Sequence, residues 1–188
     1  MGHKFKPANW ERLLGKERHA LLDPVAFVRG LGIAPGATVA DIGAGPGFFT
    51  GPLADAVGGS GRVHALDVSP EMVALLHRQE RAPQVTAHLS EESRLPLPDA
   101  SVDLALLAFV FHELDSPLEF LEEGRRILRA RGRLAVLEWV PQEEAMGPPV
   151  SERVSVDVTR AALERAGLEV VDDGLANASN YYVIGRRP

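Results

Sequence analysis

The chain has 188 residues, a formal net charge of −6, and 45% apolar against 24% charged residues, the balance of a folded domain with a sizeable core. The acidic balance argues against a protein that holds nucleic acid mainly by neutralising phosphates, and the absence of cysteine excludes disulfides, thiolate nucleophiles and Cys-ligated metal centres. Lysine occurs only as Lys4, Lys6 and Lys16, which removes a Walker loop, a mid-chain Schiff-base lysine and a Tyr-x-x-x-Lys pair.

Residues 1–22 are polar with isolated apolar anchors, Phe5, Trp10, Leu13 and Leu14, and read as a lead-in or lid that docks on a domain spanning 23–188. Asp23 caps a helix that has Pro24 at its first position and carries Val25, Phe27, Val28 and Leu31. A turn at Pro35-Gly36 leads to a buried strand, Thr38 to Ile42, and the glycine-rich stretch Gly43 to Gly47 opens a helix to about Val57. Arg62 to Asp67 is a second strand, a helix runs from Ser69-Pro70 to about Glu80, and Val85 to Leu89 is a third strand. The apolar run Val102 to Phe111 suits a central strand covered on both faces.

Ser116-Pro117-Leu118-Glu119 has the spacing of a capping box and starts a helix with Leu118, Leu121 and Leu128 on one side. Arg125, Arg126, Arg129, Arg131 and Arg133 crowd its end, either as a basic patch for a polyanion or as cations favoured by the helix dipole and by water. Leu134 to Leu137 is a fifth strand, and Pro141 to Pro149 is a proline-rich loop. A helix from about Ser151 to Ala166 stops at Gly167, and the strands Leu168 to Val171 and Tyr181 to Ile184 complete an α/β sheet.

The chemistry concentrates in Asp41-Ile42-Gly43-Ala44-Gly45-Pro46-Gly47, which passes from strand to helix through three glycines, with Asp67 at the end of the next strand. Such a loop lets backbone N–H groups approach a ligand, and the distant acid suits a ribose diol, so the pair predicts a nucleoside-bearing cofactor. Phe48 stands where a dinucleotide fingerprint has its third glycine, which weighs against a nicotinamide oxidoreductase. Asp41 beside the glycines would repel a pyrophosphate and suits a cofactor with an ammonium and a sulfonium.

On these residues the chain resembles the class I, Rossmann-like S-adenosylmethionine-dependent methyltransferases over roughly residues 23–185. Asp41 to Gly47, Leu66 to Met72, Ser90 to Asp99 and Asp103 to His112 stand in the family's motif order, nearest to compact bacterial small-molecule enzymes and quinone-ring C-methyltransferases. The resemblance implies a doubly wound, mostly parallel seven-stranded sheet with an antiparallel last strand and helices on both faces. It implies that Gly43, Ala44, Gly45 and Gly47 line the methionine part of S-adenosylmethionine and that Asp41 favours its ammonium. It places Asp67 on the ribose, Val68 and Met72 about the adenine, Glu91 near the adenine amino group, the Glu92 backbone on a ring nitrogen, and Ala108 and Phe109 at the sulfonium end.

His112, just past the central strand, is the candidate general base, or else a residue that caps the strand and packs on the cofactor. No second histidine follows it at zincin spacing, so no metal is expected. Glu138 and Trp139 end the fifth strand and, by the resemblance, face the same crevice; Trp139, Phe111 and Met146 to Pro149 are candidates for an aromatic-edged acceptor pocket, or else core and linker. Leu107-Ala108-Phe109-Val110 replaces the Asn/Asp-Pro-Pro-Tyr tetrad of enzymes that methylate exocyclic base amines, so a small-molecule acceptor is expected over nucleic acid. A cofactor-binding regulator or assembly partner without turnover fits the same motifs, and the oligomeric state stays open. With no apolar run of membrane-spanning length and no leader pattern, a cytoplasmic location is expected.

Overall fold

Side-chain alternation along the central strand sets the architecture. In the computed structural model, which describes residues 7–78 and 82–188, β4 (Val102–Ala108) sends Leu104, Leu106 and Ala108 into one core and Ala105 and Leu107 into another. A strand buried on both faces has no polar side to show, which is why its sequence is nearly all apolar. Around it lie β1 (Thr38–Ile42), β2 (Arg62–Asp67), β3 (Val85–Leu89), β5 (Leu128–Trp139), β6 (Glu169–Leu175) and β7 (Asn180–Arg186). The order is β3-β2-β1-β4-β5-β7-β6, parallel from β3 through β5, with β7 antiparallel to both its neighbours.

One face is covered by α2 (Pro24–Gly30) and α3 (Thr50–Val57), which bury Val28, Leu53 and Val57 beside Val39, Val63 and Leu106. The other face carries α5 (Pro117–Ile127) and α6 (Val156–Arg165), which bury Phe120, Leu121, Ile127 and Leu163. Between β2 and β3 runs α4 (Pro70–Arg78), whose Leu76 packs on Ala65 and Ala44. The lead-in forms a 3-10 turn, Pro7–Leu14, and the short α1 (Lys16–Leu21), and its Leu14 and Leu21 pack on the α2–α3 core. The anchor Phe5 and the predicted end of α4 at Glu80 lie outside the described residues.

Asp23 caps α2 as the sequence predicts, its Oδ1 accepting the N–H groups of Val25 and Ala26 at 2.9 and 3.1 Å. Other boundaries move. The glycine stretch does not itself begin the helix: residues 43–49 form successive turns and α3 starts at Thr50. Ser116 makes no capping bond with its side chain. The helix it precedes ends at Ile127, and Leu128 opens β5 opposite Val102 rather than continuing the helical stripe. Ser151 lies in a 3-10 turn, and Ser155 is the residue that caps α6, through the Val158 N–H. The last two strands extend beyond the predicted segments.

Three of the five clustered arginines, Arg126, Arg129 and Arg133, tie the fold together. Arg126 joins Glu123, Asp99 and the carbonyls of Leu95 and Leu97, Arg129 pairs with Asp103, and Arg133 donates to the Leu31 carbonyl. No helix among the described residues is long and apolar enough to cross a membrane.

Candidate functional site

Parallel strands deliver their loops to one edge of the sheet, and a crevice opens where successive connections leave for opposite faces. Here that point lies between β1 and β4, and the carboxyl ends of β1, β2, β4 and β5 surround a cavity of about 580 Å³. Its size suits a small ligand or cofactor.

The floor is the turn after β1. Gly43 has φ of +67° and its α-carbon lies against Val110, where an added Cβ would sit 2.4 Å from Val110 Cγ2, so both conformation and space require glycine. Gly45, at φ of +54°, turns its N–H onto Asp67 Oδ2 at 2.7 Å, while Asp67 Oδ1 accepts the Ser69 N–H at 2.9 Å. Burial raises the Asp67 pKa despite the N–H groups of Ser69, Gly45 and Val68 that favour its charge. The carboxylate therefore gains from further donors. Asp41 is buried at the end of β1 and accepts the Thr50 hydroxyl at 2.6 Å, which ties it to the first residue of α3.

The adjoining wall comes from Val68, which is half exposed, and Met72, which is buried, both on the cavity. Ser90 and Glu92 also line it, with the Glu92 carboxylate accepting the Asp115 N–H at 3.0 Å. Of the expected cofactor residues, Asp41, Gly43, Ala44, Gly45, Asp67, Val68, Met72, Glu92, Ala108 and Phe109 line one cavity, together with His112. Gly47 and Glu91 do not. Gly47 donates back to the Ala44 carbonyl behind the turn, and Glu91 forms a backbone bridge with Arg94.

Beyond Ala108 the chain turns sharply, with Phe109 at φ of +61°, an uncommon conformation for a residue with a side chain. The turn lays the Phe109 ring against Trp139, with centroids 5.1 Å apart, and leads into a 3-10 turn, Phe111–Glu113. Phe111 is buried in the α5–α6 core instead of edging the pocket. His112 Nδ1 meets the Glu138 carboxylate at 2.9 and 3.0 Å, and the same carboxylate accepts the backbone N–H groups of His112 at 3.2 Å and Trp139 at 3.1 Å. An acceptor already facing two N–H groups requires the proton on Nδ1, which leaves Nε2 as the basic nitrogen. Burial lowers the His112 pKa, but the Glu138 hydrogen bond and charge, with Glu113 and Glu152 farther out, raise it above the usual histidine value.

Two residues carry roles that the sequence did not disclose. Glu138, fully buried, orients His112 from 26 positions away; its only sequence signal is an acid at the end of an apolar strand. Arg18 comes from the lead-in, with Cζ 4.2 Å from the Phe109 ring centroid and 5.3 Å from that of Phe48. The rest of the lead-in also reaches the site: Arg12, Leu13 and Glu17 line the cavity, and His19 packs on Phe48 at 4.8 Å. Met146, Gly147 and Pro148 line the opposite rim, pinned by Arg153, which donates to the carbonyls of Val140, Met146 and Pro148 and pairs with Glu144. Among the described residues no group of three or more His, Cys, Asp or Glu is arranged to hold a metal ion.

Residues 40–136 match a family model described as a methyltransferase domain. An S-adenosylmethionine-dependent methyltransferase from Aquifex aeolicus superposes with a TM-score of 0.94 at 35% identity, covering 98% of this chain and all of that one. An arsenite methyltransferase of Halobacterium salinarum is 30% identical over 174 residues, 86% of this chain and 44% of that protein. A demethylmenaquinone methyltransferase of Tropheryma whipplei is 32% identical over 119 residues, 63% of this chain and 48% of that protein. The chain thus spans less than half the length of these two curated relatives.

Proposed function

Because the chain belongs to the class I S-adenosylmethionine-dependent methyltransferases, we propose that it methylates a small-molecule acceptor and that His112, oriented by Glu138, is its general base. The observation that carries this reading is the His112–Glu138 pair on the same cavity as the glycine turn and Asp67. The residues present fit S-adenosylmethionine. Asp67 is a buried carboxylate whose desolvation exceeds what its N–H partners restore, and a ribose diol supplies two further donors. Asp41 and the Gly43–Gly45 backbone lie where they would hold the amino-acid part, Val68 and Met72 would flank the adenine, and Ala108 and Phe109 would border the sulfonium. Glu91 lies off the cavity, so the polar contact to the adenine falls to Ser90 and Glu92.

The cofactor supplies a methyl group already activated by its sulfonium, so the protein's share of the work is positioning and the exclusion of water. His112 Nε2 takes the proton of an acceptor that has one to lose, and Glu138 stabilises the imidazolium that results. Aromatic side chains, Phe48, Phe109 and Trp139, give the acceptor an apolar wall. Of the predicted lid, residues 1–22, the described part, 7–22, covers the cavity from outside the sheet, with Leu13 and Arg18 on its lining.

The relatives' names, arsenite and demethylmenaquinone methyltransferase, point to small acceptors. This chain has no cysteine to present arsenic as a thiolate adduct, which favours an organic acceptor. The test is transfer of isotope-labelled methyl from S-adenosylmethionine to a panel of phenols, quinols, amines, oligonucleotides and proteins. Label on a small molecule is the expected result. Label confined to nucleic acid or protein, or binding with no turnover on any acceptor, would overturn the reading.

A further inference from the structure

Two arginines face the Trp139 ring, and their surroundings differ. Arg153 Cζ lies 5.2 Å from the ring centroid, and this guanidinium makes four hydrogen bonds, three of them to carbonyls. Arg18 Cζ lies 6.0 Å from the same centroid and 4.2 Å from that of Phe109, and it lines the cavity. Its Nε is buried and has no hydrogen-bond partner among the described residues. The buried carboxylate whose field reaches it, Glu138, is already committed to the His112 ring and to two backbone N–H groups. Ring faces offset part of the cost of burying a cation but accept no N–H bond in its plane.

We propose that Arg18 is an anion subsite, so that the methyl acceptor carries a carboxylate or comparable oxyanion that the Arg18 guanidinium grips beside His112; this rests on the methyl-transfer reading above. A guanidinium presents parallel N–H groups that match two oxygens of a carboxylate or phosphate, and a low-dielectric aromatic surround strengthens the pairing. Burial pulls the Arg18 pKa down to about 10 against the opposing attraction of Glu138. The group stays charged at neutral pH and gains from a new anionic partner.

The experiment uses the full chain, labelled with ¹⁵N-arginine and saturated with S-adenosylhomocysteine, titrated with benzoate, phenyl phosphate and benzamide. The Arg18 Nε–H signal is assigned by its loss in Arg18→Lys. Benzoate or phenyl phosphate is expected to move that signal and to bind at least tenfold tighter than benzamide. Arg18→Gln, again saturated with S-adenosylhomocysteine, is expected to abolish the preference. Equal binding of benzoate, phenyl phosphate and benzamide, or no anion-induced shift at Arg18 in the saturated protein, overturns the subsite and leaves an arginine that only packs on the rings. If Arg18→Gln does not fold, the wild-type titration decides alone. Failure of S-adenosylhomocysteine to bind would instead overturn the methyl-transfer reading, and the subsite with it.

Discussion

Replacing Glu138 with Gln isolates the charge that holds His112, because the side chain keeps its size and loses one acceptor. Glu138 Oε1 accepts from the His112 backbone N–H and lies 2.9 Å from Nδ1, and Oε2 lies 3.0 Å from Nδ1 and accepts the Trp139 N–H at 3.1 Å. An amide NH₂ in either place opposes an N–H donor, so one flip or the other leaves a buried donor unsatisfied, a cost of about 1–3 kcal/mol. The larger effect falls on titration. A base works only when neutral, so activity falls as pH drops through the His112 pKa, and in the wild type this limb lies above the usual histidine value. Gln removes the hydrogen bond to a carboxylate and its charge, leaving burial, which lowers the pKa, against the more distant Glu113 and Glu152. The limb should therefore move to lower pH, and turnover at its plateau should fall by about tenfold or more, bounded by the 10²–10⁴ that general-base catalysis supplies. The His112→Ala variant sets that bound. The assay is a pH profile of kcat and kcat/KM with the acceptor found in the labelling screen. An unmoved limb in Glu138→Gln, or near-normal turnover in His112→Ala, would refute the base and leave His112 as a wall of the cavity.

The other predictions follow from single contacts. Asp67→Ala should weaken S-adenosylhomocysteine binding by about 1–3 kcal/mol, read by calorimetry on folded protein, and an unchanged Kd would remove Asp67 from the cofactor site. Protease cleavage within residues 1–22 should slow when S-adenosylhomocysteine is added, and equal rates with and without it would contradict a lid. Phe109 holds a left-handed backbone, so Phe109→Gly should be more stable than Phe109→Ala by about 1 kcal/mol even though both lose the ring. Thermal unfolding of the two variants decides the point, and an equal or reversed order would show that the backbone there relaxes freely.

What could be read from the sequence was whatever local chemistry dictates. Gly43 and Gly45 are glycines because the backbone there has positive φ, and Asp67 stands at a strand end that must follow the next helix, so the turn and its distant acid were visible as a pattern. The all-apolar run at β4 reflected burial on both faces and located the middle of the sheet. The pairing of His112 with Glu138 was not visible, since it arises only when β4 and β5 lie side by side with Ala108 opposite Leu137, which brings their ends together. Arg18 had no signal at all, because a polar six-residue helix acquires its place only from the surface on which it docks. Boundaries failed where tertiary contacts overrode local cues. Leu128 fits a helical stripe, yet it pairs with Val102 and so begins a strand. Ser116, at φ of −126° and ψ of 71°, makes no side-chain bond to the N–H groups of the helix that it precedes.

The division of labour within the site follows from the chemistry required of it. An activated methyl group needs alignment more than it needs acid or base strength, and alignment is what rigid strand ends supply. The groups proposed for the cofactor accordingly sit at the ends of β1, β2 and β4; the Gly45–Asp67 bond ties the turn after β1 to the end of β2, and the Asp41–Thr50 bond ties β1 to α3. The proposed acceptor side would draw instead on the 3-10 turn after β4, the loop clamped by Arg153 and the lead-in with Arg18, none of them part of the parallel sheet. Glu138 links the two halves: it belongs to β5, yet its carboxylate fixes a histidine on the acceptor side. A change at Glu138 should for that reason alter pH dependence and turnover while leaving cofactor affinity nearly intact, the separation expected of a positioning residue.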